Sequence, residues 1–200
     1  MNDKFFDLKK EKQDKMINGA MEIFAKKGYK NASTDDMVKT AGVSKGLWFH
    51  YFENKSGLYA FVADYCVKYI NMELTVDLAV GPRDYFDILY LIEDTKVRIS
   101  KMYPFAPLMI QSMLSENDEE IQKCSRQRIM PYVEIVENSL EGFTDEKFSE
   151  GVTRDILDMT VSYTLKGILE KSYASGNFDS DYYLGEIQKY FEMMRAIVYA

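Results

Sequence analysis

Helical spacing of apolar residues along nearly the whole chain is the feature that most restricts its fold. Apolar side chains recur at intervals of three and four residues, as at Ile17, Met21 and Phe24, a pattern typical of helices that pack one face on a core. The 200 residues include only four prolines, and no alternating apolar run is bounded by turn residues as in a hairpin. We therefore predict an all-α chain of about nine helices.

Capping residues and helix breakers indicate where these helices begin and end. Ser33 or Thr34 is suited to cap a short second helix, and Ser44 is suited to cap a third one. Gly81-Pro82 predicts a break after the fourth helix, because neither residue continues a helix well. The second and third helices are therefore predicted to be unusually short and close together.

The tight turn Ala41-Gly42-Val43 between these two short helices is the most specific local pattern in the chain. On the helix that follows, Lys45, Gly46 and Phe49 offer a basic head, room for close approach and an apolar contact for thymine methyl groups. Trp48 faces another side and is predicted to be core. The pattern favours a helix-turn-helix whose second helix enters a DNA major groove.

The charge distribution agrees with a DNA partner, although the chain as a whole carries a net charge of −7. Residues 1–60 contain 11 Lys, no Arg and 8 acidic residues, a net charge of +3, whereas residues 61–200 carry −10. An acidic body is repelled by DNA, so only the basic end is suited to dock on it.

Several other classes of protein are excluded by composition and motifs. The single histidine and two distant cysteines, Cys66 and Cys124, leave neither a usual zinc site nor a disulfide framework, so we expect no metal and no cofactor. Nucleotide-binding and hydrolase motifs are absent, so we do not expect an enzyme. Because no apolar stretch has the length of a signal peptide or a membrane span, we expect a cytoplasmic protein.

One continuous, ungapped pattern runs through the first part of the chain. It consists of the run Ile17 to Phe24, Gly28-Tyr29, Ser33-Thr34, residues 41–46 and residues 51–58. This pattern resembles the DNA-binding domain of the TetR family of transcriptional regulators. The resemblance implies a three-helix helix-turn-helix domain over residues 1–55, followed by a helical effector-binding and dimerisation domain over residues 56–200.

The same resemblance implies DNA contact for nine residues. They are Thr34, Ser44, Lys45, Gly46, Leu47, Phe49, His50, Tyr51 and Lys55. Members of the family often carry Tyr where this chain has Phe49. Because a phenyl ring has no hydroxyl for a phosphate, the role implied for Phe49 shifts to apolar contact.

Two apolar stripes run along the helix predicted over residues 145–174. One includes Ile156 and Met159, and the other includes Leu157. A second stripe indicates a helix that is buried on both sides, either in the core of a large monomer or at a subunit interface. The resemblance favours a homodimer joined through this helix and the one predicted over 181–199, which would suit a palindromic DNA site.

The middle helices are rich in methionine and aromatic residues, which suit a small, largely apolar effector. The candidate contacts are Tyr90, Met102, Phe105, Met109, Met113, Met130 and Tyr163. The alternative is that these side chains are ordinary core.

Two functions of different kinds are consistent with these patterns. The first is a repressor that leaves a palindromic operator when an unknown small molecule binds the C-terminal domain, with the shift transmitted by the helix that starts near Lys55. The second is a DNA-bound structural or interaction protein whose C-terminal domain binds a protein partner. Neither function involves a membrane.

Overall fold

Nine α-helices make up most of the computed structural model, which describes residues 3–80 and 84–199. They are α1 (Lys10–Asn31), α2 (Thr34–Ala41), α3 (Lys45–Tyr51), α4 (Lys55–Leu78), α5 (Tyr85–Ser100), α6 (Ala106–Ser115), α7 (Gln122–Leu140), α8 (Arg154–Ser172) and α9 (Ser180–Val198). Two short 3₁₀ turns span Asp3–Asp7 and Asp145–Lys147, and these described residues contain no strand. The all-α prediction is confirmed. The predicted break at Gly81-Pro82 lies outside the described residues.

Serine caps and one left-handed glycine define the two short helices. The Ser33 hydroxyl accepts a hydrogen bond from the Asp35 N–H at 3.2 Å, and the Ser44 hydroxyl accepts one from the Leu47 N–H at 3.2 Å. Between them Gly42 has φ 63°, which glycine adopts without the steric penalty of a Cβ atom. Local sequence therefore sets the geometry of the helix-turn-helix.

The start of α8 differs from the sequence prediction. The apolar spacing predicted a helix over 145–174, but regular helix begins only at Arg154. Gly151 has φ 84°, which interrupts any helical backbone before it. The Thr153 side chain then caps the new helix start. The predicted first turns of this helix are therefore the 3₁₀ turn and a loop.

The helices pack into two compact units that do not follow chain order. The first takes in the chain up to Ile70 together with Ile99–Tyr132, and the second takes in Asn71–Arg98 together with the chain from Val133 onward. In the first unit α1 packs on α2 and α6, and in the second α8 packs on α9. None of the helices in the described parts of the chain is long and apolar enough to cross a membrane.

Within the first unit, α1 and α2 approach each other closely at Gly19. A Cβ atom at Gly19 would lie 2.8 Å from the Ala41 Cβ and 2.9 Å from the Ala41 nitrogen, so a larger residue would push the helices apart. Because Ala41 ends α2, this contact fixes the helix-turn-helix to α1 directly before its turn.

Candidate nucleic-acid interface

The second helix of the motif, α3, has one buried and one exposed side. Trp48 has no exposed surface, which confirms its prediction as core, and Phe52, one turn later, is only 3 % exposed. The exposed side consists of Ser44, Lys45, Gly46, Phe49 and His50. It combines basic, small and aromatic residues in the way that a major groove can accept.

Lys45, the first residue of α3, is paired with Asp35 of α2. The distance from Nζ to the carboxylate Oδ1 is 2.6 Å, and both side chains are more than half exposed. The same ammonium lies 5.9 Å from the centre of the Phe49 ring. An exposed ion pair contributes only about 0–1 kcal/mol, so a DNA phosphate or base can replace the Asp35 carboxylate at little energetic cost.

Gly46 lies on the exposed side of α3. A Cβ atom added there would meet nothing within 4 Å, so the fold itself does not need a glycine at this position. Glycine is also a weaker helix former than alanine. An unneeded and slightly destabilising glycine on an exposed helix face is suited to close approach of another molecule.

Two of the predicted DNA contacts, Tyr51 and Lys55, are engaged within the protein. The Lys55 ammonium donates to the main-chain carbonyl of Tyr29 at 3.0 Å and to those of Lys30 and Ala32 at 3.4 Å. It also lies 4.3 Å from the centre of the Tyr29 ring. The Tyr51 side chain is only 8 % exposed. Lys55 therefore closes the end of α1, and a phosphate would have to compete with these carbonyls.

The remaining two predicted contacts, Thr34 and Leu47, are half-buried. Thr34 is the first residue of α2, and the Leu47 N–H is used by the Ser44 cap. Both therefore lie in the first turns of the two helices of the motif.

Tyr29 makes a connection that sequence reasoning missed. Its main-chain N–H donates to the Glu116 carboxylate at 3.2 Å, and its hydroxyl donates to the Glu120 carboxylate at 2.6 Å. Burial and the neighbouring Glu120 carboxylate raise the pKa of the Tyr29 hydroxyl far above its ordinary value. The partners lie 87 and 91 residues further along the chain, so no local pattern could have revealed the contact.

A polar cleft of about 670 Å³ opens beside this connection. It is lined by Lys27–Asn31 on one side and Glu116–Glu120 on the other. Its charged lining differs from the mostly apolar pockets that bind small organic ligands, so the cleft does not match the effector site expected from the sequence.

The seven predicted effector contacts are distributed over both units. The first unit holds Met102, Phe105, Met109, Met113 and Met130, and the second holds Tyr90 and Tyr163. Met109 and Met113 are at most 1 % exposed, whereas Met130 is 42 % and Tyr163 70 % exposed. The structure thus places some of these side chains in the packed core and others on the surface.

Tyr90 lines a second cleft, of about 290 Å³, between α5 and α9. Phe191 and Arg195 contribute to the same lining. Arg195 forms ion pairs with Asp84 and Asp87, which fix its guanidinium at the rim. This cleft offers a small apolar floor with charged edges inside the second unit.

The two apolar stripes predicted for α8 have different surroundings. Leu157 and Val161 are at most 3 % exposed, which places their stripe in the core of the second unit. The other stripe is exposed by 52–70 % at Ile156, Met159 and Tyr163. On α9, large apolar side chains are similarly exposed at Met193 and Ile197. Clusters of this kind on a surface mark interaction sites more often than ordinary solvent-facing regions.

Comparison with known proteins identifies relatives for most of the chain. The family model described as bacterial regulatory proteins, tetR family, matches residues 16–62. The uncharacterized HTH-type transcriptional regulator YvdT of Bacillus subtilis is 23% identical over 163 residues, which cover 81% of this chain and 82% of that protein. The negative transcriptional regulator IcaR of the biofilm operon icaADBC of Staphylococcus aureus is 22% identical over 167 residues, 81% of this chain and 85% of that protein.

A solved structure shows the same fold. The transcriptional regulator FadR from Bacillus subtilis, in complex with stearoyl-CoA, superposes with a TM-score of 0.59 at 18% sequence identity. The match covers 86% of this chain and 96% of that chain. The helical architecture with an N-terminal helix-turn-helix is therefore shared along nearly the full length of both proteins.

Proposed function

Because this chain belongs to the TetR family of transcriptional regulators, and its relatives YvdT and IcaR are named as transcriptional regulators, we propose that it is a ligand-responsive repressor of transcription. The observation that carries the proposal is the exposed face of α3, a helix that is capped by Ser44 and has open space at Gly46. In this proposal residues 1–55 bind the DNA operator, and residues 56–200 bind an effector and a second subunit.

DNA recognition is assigned to the exposed face of α3. Lys45 exchanges Asp35 for a phosphate or a guanine edge, Gly46 allows the backbone to approach, and Phe49 contacts thymine methyl groups. His50, one turn after Gly46, lies near a base edge. Together these side chains contact only a few base pairs, so one subunit alone binds DNA with low affinity and low sequence specificity.

A homodimer supplies a second recognition helix. We assign the exposed apolar stripes of α8 and α9 to the dimer interface, since a two-fold contact would cover Ile156, Met159 and Tyr163 together with Met193 and Ile197. Two-fold symmetry would place the two copies of α3 about 34–36 Å apart, one turn of a palindromic operator.

The effector is proposed to be a small, largely apolar molecule that binds the helices after α4. The FadR structure with stearoyl-CoA supports an acyl chain as a model for such a ligand. The net charge of −10 over residues 61–200 disfavours strongly anionic groups unless local lysine or arginine side chains offset it.

Two structural connections could transmit a conformational change from the effector-binding helices to the helix-turn-helix. One is α4, which begins at Lys55 and continues to Leu78. The other is the hydrogen-bonded contact of Tyr29 with Glu116 and Glu120. An effector that binds more tightly to the helix arrangement that does not bind DNA would increase the population of that arrangement. The size of the shift is set by the difference between the effector's affinities for the two arrangements.

A second candidate is a DNA-bound protein whose C-terminal part binds another protein. The scattered placement of the predicted effector contacts favours it, because Met109 and Met113 fill the core instead of lining a cavity. Native mass spectrometry of the purified protein separates the two: a bound small molecule supports the repressor, and a stoichiometric protein partner supports the alternative.

Selection from a pool of random DNA duplexes about 40 base pairs long, enough for two half-sites, tests the proposal. We expect enrichment of one palindromic sequence, bound by a dimer. Lys45→Ala should weaken binding to that duplex and reduce the slope of log K against log salt by about 0.9 for each phosphate that is no longer neutralised. Lys101→Ala, at an exposed lysine outside the motif, is the control and should bind like the original chain. No enriched sequence would refute the proposal.

A further inference from the structure

The segment before α1 is anchored to the helix-turn-helix by Phe5. The Phe5 ring has no exposed surface, and its centre lies 5.6 Å from the ring of Tyr51 and 5.3 Å from those of Phe52 and Phe61. The Tyr51 ring in turn lies 4.7 Å from that of His50, which is on the exposed side of α3. Phe5 therefore lies one aromatic ring away from the proposed DNA face.

A buried amide fixes the path of the main chain that follows Phe5. The Gln13 side chain is 8 % exposed, and its Nε2 donates to the main-chain carbonyls of Phe6 at 3.1 Å and Leu8 at 2.7 Å. The Leu8 N–H donates to the Phe5 carbonyl at 3.2 Å. Because a buried amide is costly unless it is satisfied, these bonds hold the segment in one position as it enters α1.

Two lysines, Lys9 and Lys12, lie at the start of α1, before the part of the helix that contacts α2. Lys12 is about two helical turns before Gly19, so it shares the face of α1 that contacts Ala41 at the end of α2. Lys9 directly precedes the first turn of α1. Since α2 ends at Ala41, Lys12 lies on the part of this face that extends beyond α2, and Lys9 lies directly before it in the chain.

Lys9 and Lys12 differ from the neighbouring lysines Lys10 and Lys15, which are held in ion pairs. Lys10 pairs with Asp14 at 2.7 Å, and Lys15 pairs with Glu11 at 2.7 Å. Within the described ranges, Lys9 and Lys12 are exposed and have no carboxylate oxygen within 4.0 Å. The start of α1 therefore presents two ammonium groups to solvent.

We propose that Lys9 and Lys12 form a second DNA contact, which binds the phosphate backbone beside the groove that α3 enters. The inference rests on the proposed function and adds a surface outside the helix-turn-helix. Its chemistry is charge neutralisation of phosphates with release of counterions, so it adds affinity at any sequence and positions the subunit on the duplex. The Phe5 contact with Tyr51 holds the segment that leads into Lys9 beside the end of the recognition helix.

Salt-dependent binding of the duplex enriched from the random pool tests this contact. The Lys9→Ala/Lys12→Ala double variant should bind more weakly, with a slope of log K against log salt reduced by about 0.9 for each phosphate that the two lysines no longer neutralise. The base preference recovered in a repeated selection should stay the same, because phosphates carry no sequence information.

The matched control is the Lys10→Ala/Lys15→Ala double variant, which removes the same charge from the same helix but from paired lysines. It should change the slope less than the Lys9/Lys12 variant does. Equal slopes for the two double variants, or a changed base preference, would overturn this proposal while leaving the proposed function intact. If the unsubstituted protein retards no enriched duplex, the proposed function itself fails.

Discussion

The helix-turn-helix is built from neighbouring residues of the chain, whereas the predicted effector contacts come from distant segments. Five of the predicted DNA contacts lie together on the exposed side of α3, whereas the predicted effector contacts are divided between core and surface and between the two units. The proposed DNA face lies within one short stretch, residues 44–50, where Ser44 and Gly42 fix the backbone. A ligand pocket instead needs segments from distant parts of the chain, whose packing local spacing does not encode.

The largest expected effect comes from alanine substitution of a buried methionine, Met109, compared with an exposed one, Met130, both of which are predicted effector contacts. Met109→Ala should lower the free energy of unfolding by about 2–5 kcal/mol if the side chain is core, because a cavity remains. Met130→Ala, at a side chain that is 42 % exposed, should change it by less than about 0.5 kcal/mol. Urea unfolding followed by the fluorescence of Trp48, the single tryptophan, measures both. Similar decreases for the two variants would show that burial does not distinguish them.

A medium effect is expected at the contact between Tyr29 and the loop before α7. Tyr29→Phe removes a hydrogen bond to the Glu120 carboxylate, a type of bond worth about 1.5–3 kcal/mol. We expect a lower free energy of unfolding and weaker DNA binding. A double-mutant cycle with Glu120→Gln supplies the control. Strictly additive effects would mean that the two side chains do not interact.

A smaller effect, an increase in DNA affinity, is expected at the proposed DNA face. Asp35→Asn removes the carboxylate that holds Lys45 and that repels DNA, so affinity for the enriched duplex should rise by up to about 1 kcal/mol, roughly five-fold. Asp36→Asn removes the same charge from the same helix, but from a pair with Lys27, and is the control. The two variants should differ in DNA affinity and hardly at all in thermal stability. A lower affinity for Asp35→Asn would contradict the assignment of Lys45.

Much of the fold was predictable because it depends on neighbouring residues. Caps, glycine breaks and apolar stripes predicted nine helices, the helix-turn-helix and the buried Trp48. The start of α8 was missed because apolar spacing continues through the loop around Gly151, where the backbone leaves the helical region. The Phe5 anchor was missed because its aromatic partners lie on other elements. In each case the missing information was a contact or a dihedral angle, not a residue type.

The smallest predicted effect compares two glycines of the DNA-binding end. Gly46→Ala meets no atom within 4 Å, so we expect α3 to become more stable by a few tenths to about 1 kcal/mol while DNA affinity falls. Gly19→Ala brings its Cβ to 2.8 Å from the Ala41 Cβ, so it should lower thermal stability. Urea unfolding and DNA retardation, measured on both variants, distinguish a glycine that allows DNA to approach from a glycine that allows two helices to pack closely. Unchanged DNA affinity in Gly46→Ala would show that no DNA backbone approaches α3 at that point, and the recognition face would have to lie elsewhere.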